Sequence, residues 1–346
     1  MIDYGIVRNW VVRGVIAISV TAFFFTTTAS SFACSNVFVA ATNTFGETHA
    51  AVARTMDLWL LGDYFGYGVV GEENTSNINI PQSGPVNAKQ WTNAYGFIGQ
   101  SALKTYILND GVNTEGLYGA ILELPGFTQY PEYNPEDARP QLGVLDMVTY
   151  ALGTARDVPD LIDVDARTGK LLEVQPVLNA GEMDGVFTSF PGHLVFRDKS
   201  GNSVIVEWIR GKTHFYVHKA GTRRVIEIID GNPHYKKIYR NTTAAVLTNA
   251  PPYGWHLESE RVLGYKTMFN GNTRRKWAGE HMNGSGLYGC AGDYTPVSRF
   301  LRASTLARLY PKPNTQPEAM SAAYSILQSI IVPLGANPQP SAWVSW

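Results

Sequence analysis

The 346-residue chain has little cysteine, little net charge and no stretch of like charges. Two cysteines exclude a disulfide-rich scaffold and a cysteine-rich zinc module. The formal net charge is −1, from 28 basic and 29 acidic residues, so the chain lacks the basic face of a nucleic-acid-binding protein. With 45% hydrophobic residues, it is also too apolar to be disordered. We therefore expect a core-forming globular protein without a nucleic-acid partner.

The N-terminal segment has the order of a secretory signal peptide. Two arginines precede an apolar run over 15–25, which is shorter than the roughly 20 residues of a membrane-spanning helix. Ser31-Phe32-Ala33 then forms a small-x-small cleavage site. We expect residues 1–33 to be removed on export. The product would be a periplasmic or secreted domain of residues 34–346 with no stable membrane association.

Cys34 would be the first residue after this cleavage. It could be a half-cystine paired with Cys290, or a lipid attachment site, although Ser31 stands where such a site favours an aliphatic residue. The third interpretation is an N-terminal nucleophile. The thiolate is then the attacking group, and the free α-amino group, whose ordinary pKa lies near neutrality, accepts the thiol proton. Such a site requires no catalytic histidine.

A β-hairpin is predicted directly after Cys34. Residues 35–42 and 47–54 are β-prone, and a turn signal separates them. An antiparallel second strand ends beside the start of the first, so Arg54 and Asp57 return to Cys34. Arg54 can stabilise a thiolate there, and Asp57 can hold the α-ammonium group. An ordinary surface ion pair at a strand end explains the same two residues equally well.

Strand patterns dominate the middle of the chain, and helical patterns its end. Four β-prone runs between 193 and 230, joined by short turn signals, predict an antiparallel meander, with further strands at 116–124 and 244–248. Helical spacing is found in 142–155, 296–310 and 317–331. This segregation predicts a single α+β domain. Residues 61–100, rich in Gly, Asn and Ser, are expected to form loops over a site.

Five short segments, in this order along the chain, carry a family resemblance. They are Cys34-Ser35, residues 53–57, residues 113–117 with 124–126, residues 246–256, and residues 292–302. Together they resemble the choloylglycine hydrolase family of linear amide C–N hydrolases, which includes bile salt hydrolases and penicillin V acylases. The resemblance implies an N-terminal nucleophile hydrolase with a four-layer αββα sandwich, no cofactor or metal ion, and a homotetrameric assembly.

The resemblance also implies roles for individual residues. Cys34 matches the nucleophile and its amine the base, while Arg54 and Asp57 match two residues of the family's active-site strand. Asn249 matches the asparagine that helps to stabilise the tetrahedral oxyanion. Without the family, Asn249 would be interpreted as a turn residue before two prolines. Arg299 matches the second active-site arginine, for which Arg302 is the weaker alternative.

Two departures from the family pattern concern the site. Glu123 falls where bile salt hydrolases carry Asn and penicillin acylases commonly carry an aromatic residue. An ionised carboxylate only accepts hydrogen bonds, so this side chain cannot supply a second oxyanion donor while charged. Cys290-Ala-Gly-Asp293 replaces the usual Pro-Gly-Asp, and Cys290 is expected to be a small buried hydrophobe.

The expected reaction is hydrolysis of a linear amide with a hydrophobic acyl group. Aromatic residues that could line the acyl pocket, or else simply anchor loops, are Trp59, Tyr64, Phe65, Tyr67 and Tyr130. An exported chain resembles the Gram-negative branch, in which penicillin V and acyl homoserine lactones recur as substrates. Conjugated bile salt hydrolysis is the alternative. A dipeptidase- or ceramidase-like cysteine hydrolase and a non-catalytic exported binding protein remain further possibilities.

Overall fold

A computed structural model describes residues 34–56, 64–76, 87–101, 108–132, 134, 136–177, 190–263, 276–277, 280–281 and 291–333. The predicted signal peptide, Asp57, Trp59 and Cys290 lie outside the described residues. All the described residues belong to one compact unit. None of the helices among them is long and apolar enough to cross a membrane.

The described residues contain both strands and helices. The strands are β1 (Ser35–Thr42), β2 (Thr48–Thr55), β3 (Tyr64–Gly68), β4 (Glu73–Thr75), β5 (Gln90–Thr92), β6 (Phe97–Ser101), β7 (Leu108–Asn113), β8 (Tyr118–Glu123), β9 (Gln141–Gly143), β10 (Gln175–Val177), β11 (Gly192–Arg197), β12 (Ser203–Ile209), β13 (Lys212–His218), β14 (Arg224–Ile229), β15 (Asn232–Arg240), β16 (Val246–Leu247), β17 (Lys276–Trp277) and β18 (Glu280–His281). The helices are α1 (Met147–Thr154), α2 (Val158–Leu161), α3 (Tyr253–Leu263), α4 (Pro296–Leu309) and α5 (Gln316–Gln328), and a 3₁₀ turn (Val144–Asp146) precedes α1.

Two antiparallel sheets position the site. The larger sheet has nine strands in the order β15-β14-β13-β12-β11-β8-β7-β6-β3, and the smaller has the order β16-β1-β2. The predicted hairpin is confirmed as β1 and β2, which pair from Ser35 opposite Thr55 to Thr42 opposite Thr48. The predicted meander is confirmed as β11 to β14.

Side chains alternate between two hydrophobic clusters across the larger sheet. On β8, Ile121 joins an outer cluster with residues of α1 and α2, such as Leu152. Its neighbours Ala120 and Leu122 join an inner cluster with residues of β1, β16, α3, α4 and α5. Because successive strand residues point to opposite faces, the layers run helix, sheet, sheet, helix. The predicted α+β fold with four αββα layers is confirmed.

The prediction of loops over residues 61–100 was wrong where the structure describes that segment, since β3, β4, β5 and β6 lie there. The glycines in this region permit close contact between strands. A Cβ atom on Gly99 would lie 2.1 Å from the Asp110 carbonyl oxygen, and one on Gly68 would lie 2.3 Å from the Phe97 ring. The predicted helix over 142–155 begins only at Met147, because Gln141–Gly143 pairs in parallel with β10.

Candidate active site

Cys34 lies at the start of β1, where strand pairing places Asn249 beside it. Asn36 pairs with Leu247 of β16, so the same register extended by two residues sets Cys34 opposite Asn249. The Cys34 backbone N–H donates a hydrogen bond to Asn249 Oδ1 at 2.8 Å. The Cys34 thiol is free and the residue is 5% exposed. Cys34 is therefore not a half-cystine in this structure.

The Asn249 side chain connects three parts of the site. Its Oδ1 accepts hydrogen bonds from Cys34 N and, at 3.0 Å, from Arg299 Nη2. Its Nδ2 donates to the main-chain carbonyl of Glu123 at 2.8 Å. A side-chain amide has two N–H donors, so one hydrogen of Nδ2 remains to bind a substrate oxygen. Glu123 thus contributes its backbone to the site, at the end of β8.

Arg299 lies in the first turn of α4 and is fully buried. Its Nη1 donates to the Cys34 carbonyl at 2.8 Å and makes a short contact with Ser35 Oγ. Its Nε donates to the Tyr294 carbonyl at 3.0 Å. The alternative candidate, Arg302, instead donates to backbone carbonyls of Ala291 and Ser329. The structure therefore brings Arg299, and not Arg302, to Cys34 and Asn249.

Arg54 occupies a gap between β7 and β8. Their pairing ends at Asp110 opposite Ala120. The next pair would be Asn109 and Ile121, and Arg54 binds both carbonyls, through Nη1 at 2.8 Å and Nη2 at 2.6 Å. Asp110 Oδ2 lies 3.3 Å from Nη1, in an ion pair. The guanidinium group is thus fixed by acceptors from two strands.

The charge of Arg54 is maintained despite its burial. Burial acts to lower the pKa of Arg54, but the carboxylate of Asp110, with smaller contributions from Tyr118 and from the Cys34 side chain, raises it above its ordinary value. The Cys34 side chain is thus one of the groups with which the guanidinium interacts. A fixed positive charge beside a thiol stabilises the thiolate. Arg54 therefore provides a fixed positive charge that interacts with the Cys34 side chain.

Three residues near this centre were missed by sequence reasoning. Asp110 pairs with Arg54 and accepts a hydrogen bond from the Tyr118 hydroxyl at 3.4 Å. His256 Nε2 lies 2.9 Å from the Asn249 carbonyl, and its ring stacks on Phe300 at 4.6 Å. The signal for Tyr118 and His256 was their position in or next to the five family-like segments. Asp110 lies a few residues before one of those segments.

The predicted acyl-pocket residues separate into two groups. Phe65 and Tyr67 lie on β3 and are 76% and 77% exposed. Tyr67 pairs with Ile98, which pairs with Val112, so these side chains form an exposed apolar row. We call Phe65, Tyr67, Ile98 and Val112 the apolar floor. Val112 pairs with Tyr118, which contacts the inner cluster, so the floor shares the face of the sheet on which Cys34 lies.

Tyr130 is on the other side of the larger sheet. Its ring packs against Trp208 of the outer cluster at 5.0 Å, and its hydroxyl donates to the Phe190 carbonyl at 2.6 Å. The structure therefore does not bring it to Cys34. Tyr64 contributes backbone to β3, while its side chain, like Trp59 and Asp57, lies outside the described residues.

The histidines of β13 are engaged in ordinary structural contacts. His214 Nδ1 lies 2.8 Å from Glu227 Oε1, and His218 Nδ1 lies 3.0 Å from the Arg224 carbonyl. Within the described part of the chain, no group of three or more His, Cys, Asp or Glu side chains could hold a metal ion.

Comparisons with known proteins find a matching family model and related sequences. A family model described as linear amide C–N hydrolases, choloylglycine hydrolase family, matches residues 39–236 and 214–341. The chain is 25% identical over 282 residues to a bile salt hydrolase/transferase of Clostridium perfringens, covering 76% of this chain and 73% of that protein. It is 27% identical over 192 residues to a penicillin V acylase of Pectobacterium atrosepticum, covering 54% of this chain and 43% of that protein.

Solved structures show the same fold. The penicillin V acylase of Agrobacterium tumefaciens superposes with a TM-score of 0.58 at 23% identity, covering 89% of this chain and 75% of that chain. A mutant of the conjugated bile acid hydrolase of Clostridium perfringens gives a TM-score of 0.58 at 18% identity, covering 88% of this chain and 80% of that chain. At these identities the likeness concerns the fold alone.

Proposed function

Because the chain belongs to the choloylglycine hydrolase family of linear amide C–N hydrolases, we propose that it cleaves a linear amide with a hydrophobic acyl group, using Cys34 as an N-terminal nucleophile. The observation that carries this proposal is the pair of contacts at Cys34. Its nitrogen donates to Asn249 Oδ1 at 2.8 Å, and its side chain interacts with the buried, charged guanidinium of Arg54.

The proposed mechanism requires a chain that begins at Cys34, because it uses a free α-amino group there. A peptide nitrogen has no basic lone pair, whereas the α-amino group exposed by signal removal has one. In the processed chain, an N–H of this amine can keep its hydrogen bond to Asn249 Oδ1. The lone pair is then oriented by the same contact and can accept the thiol proton. Export and cleavage before Cys34 are part of the proposal.

The reaction proceeds through a thioester. The thiol proton moves to the α-amino group, and Sγ attacks the amide carbonyl carbon while Arg54 stabilises the thiolate. The carbonyl oxygen becomes an oxyanion that accepts the second N–H of Asn249 Nδ2. The intermediate collapses as the α-ammonium group gives its proton to the departing amine. Water then hydrolyses the thioester, which releases the carboxylic acid and restores the thiol.

The apolar floor favours substrates with a hydrophobic acyl group. Exposed apolar side chains on the site's face of the sheet can bury an aromatic or long aliphatic chain. We propose a penicillin V acylase-like or acyl homoserine lactone acylase-like activity. Conjugated bile salt hydrolysis is the second candidate, because the bile salt hydrolase/transferase relative matches 76% of this chain.

The proposal is tested on purified protein that begins at Cys34. We expect Cys34→Ala to lower kcat/KM for the preferred amide by at least about 10⁴-fold, as loss of a nucleophile does in other hydrolases. Protein that retains Ala33 should be inactive because its base is tied up in a peptide bond. Thr42→Ala, at the exposed far end of β1, is the matched control and should keep full activity.

Two measurements test the mechanism and the substrate class. Full turnover by Cys34→Ala would contradict the mechanism, since the reaction would then not need the thiol. The ratio of kcat/KM for penicillin V to that for glycocholate separates the substrate classes. A ratio well above one supports the acylase assignment, and a ratio well below one supports bile salt hydrolysis.

A further inference from the structure

The turn that carries Asn249 follows the last paired residue of β16. Pairing with β1 involves Val246 and Leu247, and α3 begins at Tyr253. Two prolines, at 251 and 252, lie in the connection and have no backbone N–H to donate. The position of the Asn249 backbone therefore depends on contacts other than a strand ladder.

His256 supplies one of these contacts from the first turn of α3. Its Nε2 lies 2.9 Å from the Asn249 main-chain carbonyl oxygen and 3.4 Å from Thr248 Oγ1. The Thr248 hydroxyl donates its own proton to the Pro296 carbonyl at 3.0 Å, so both groups that face Nε2 are acceptors. Nε2 therefore carries the imidazole proton and donates it to the Asn249 carbonyl.

The His256 ring is fully buried and also contacts the helix that carries Arg299. It stacks on Phe300 with the ring centroids 4.6 Å apart, and Phe300 follows Arg299 in α4. Arg299 Nη2 in turn donates to Asn249 Oδ1 at 3.0 Å. His256 thus binds the backbone of Asn249 and packs beside one partner of its side chain.

We propose that His256 is a positioning residue for the reaction, which holds the Asn249 side chain at Cys34 through the Asn249 carbonyl. A rotation of that peptide group would displace Oδ1 from Cys34 N and Nδ2 from the Glu123 carbonyl. A displacement of about 1 Å in such a site costs up to about 10²-fold in rate. This inference rests on the proposed function, because it takes Asn249 as the oxyanion donor.

The test compares substitutions at His256 that remove or keep the N–H donor. His256→Leu has no donor, whereas His256→Gln retains one. With penicillin V and glycocholate as probes, we expect His256→Leu to lower kcat about 10- to 100-fold with KM within about twofold of the wild type. His256→Gln should keep kcat near the wild-type value. His256→Met, which has a flexible side chain without a donor, replaces the leucine variant if that variant does not fold.

His218 provides a matched control on β13. It is also buried, and its Nδ1 lies 3.0 Å from the Arg224 carbonyl oxygen. His218→Leu therefore removes a buried imidazole beside a main-chain carbonyl, as His256→Leu does. It should lower the free energy of unfolding but leave kcat unchanged. An equal fall in kcat for both leucine variants would overturn the inference, since the loss of any buried histidine would then suffice.

A double-mutant cycle tests whether His256 acts through Asn249. If it does, His256→Leu should change kcat by less than about twofold once Asn249 is already replaced by alanine. A fall of the same size in both backgrounds overturns the inference. Wild-type kcat in His256→Leu, or a His256→Gln variant as impaired as His256→Leu, also overturns it.

Crystal structures of the variants separate this inference from the proposed function, because they require no turnover. In His256→Leu we expect Asn249 Oδ1 to lie beyond hydrogen-bond distance of Cys34 N, and in His256→Gln we expect the wild-type contact. If the wild type hydrolyses neither probe, the proposed function fails for these amides, while the displaced Asn249 side chain still supports the positioning role. An unchanged contact between Oδ1 and Cys34 N in His256→Leu overturns that role at any level of activity.

Discussion

The two faces of the nine-stranded sheet are built from different chemistry. The outer cluster joins apolar residues of the sheet to those of α1 and α2, with fully buried Leu152, Phe196 and Trp208, and the polar Asn113 is buried on the same side. The inner face also buries apolar residues, but it encloses charged and polar groups, among them Arg197, Glu207 and Arg299. Apolar burial stabilises a fold without requiring partners. Buried polar groups require partners, and here those partners position the site.

The inner polar groups also hold the layers together. Arg197 of β11 donates to Asn36 Oδ1 of β1 at 2.8 Å and makes a short contact with the Ala244 carbonyl. Glu207 of β12 accepts hydrogen bonds from the Tyr253 backbone N–H at the start of α3, at 2.9 and 3.0 Å. The inner face therefore depends on pairs that span different elements. This difference leads to four predictions.

The largest expected effect on stability concerns Glu207. Both Glu207 and His193 are fully buried, with His193 Nδ1 2.9 Å from Glu207 Oε1. Glu207→Leu removes one partner of a buried pair and should lower the free energy of unfolding by about 3–5 kcal/mol in urea denaturation. Glu258→Gln, which affects exposed pairs with Lys237 and Arg261, is the control and should cost less than about 1 kcal/mol. Equal losses would contradict the distinction between buried and exposed pairs.

Asn249 and Asn113 provide a matched pair of buried asparagines on the two sides. Asn249→Ala removes the proposed oxyanion donor and should lower kcat by about 10²–10³-fold. Asn113 donates to the carbonyls of Leu152 and Ala155 at the outer helix α1. Asn113→Ala should destabilise the fold but leave kcat of the folded protein unchanged. Steady-state kinetics with unfolding curves separates the two, and a similar fall in kcat for both would argue against the assignment of Asn249.

The hairpin and meander could be predicted because their signals are local. Alternating β-prone residues and short turns fix both register and pairing.

Helix α3 was missed although Pro251-Pro252 stands directly before it, which is a recognised helix-start signal. Strand β15 was missed because its charged residues, such as Lys236 and Lys237, do not alternate like a buried strand, and an edge strand tolerates them.

The centre of the site could be predicted only in part. Cys34 and Arg54 come together through a hairpin, which sequence pattern reveals. The attachment of Arg54 to the carbonyls of Asn109 and Ile121 depends on where two distant strands stop pairing. No local pattern encodes that end point, because it results from packing between the sheets. For the same reason the separation of Tyr130 from the apolar floor was not visible in the sequence.

The pH dependence of stability should originate on the inner face. Burial, together with the nearby His193 and Arg299, lowers the pKa of His256 to about 4, although its hydrogen bond to Asn249 opposes the shift. Between pH 6.5 and 4 the unfolded chain therefore binds a proton at this residue that the folded chain does not. The contribution of the neutral His256 to the free energy of unfolding is complete above pH 6.5. This contribution should fall by about 3 kcal/mol as the pH drops to 4.

A histidine variant isolates this contribution. His256→Gln keeps an N–H that can donate to the Asn249 carbonyl but does not titrate. Urea unfolding at several pH values between 4 and 7 should show a flatter dependence for this variant than for the wild type. His234→Gln, on exposed β15, is the control and should keep the wild-type slope. If the slope is the same in all three proteins, His256 is not its origin.

The smallest expected effect on stability concerns Ile121, whose side chain and backbone carbonyl serve different faces of the sheet. Its side chain belongs to the outer cluster and is 5% exposed, while its carbonyl accepts the hydrogen bond from Arg54 Nη2. Ile121→Val removes one methylene and should lower the free energy of unfolding by about 1 kcal/mol. Since the variant retains the carbonyl, kcat should not change. A fall in kcat would mean that side-chain packing in the outer cluster sets the position of Arg54. Residues of the outer face would then affect the reaction as well as the stability of the fold.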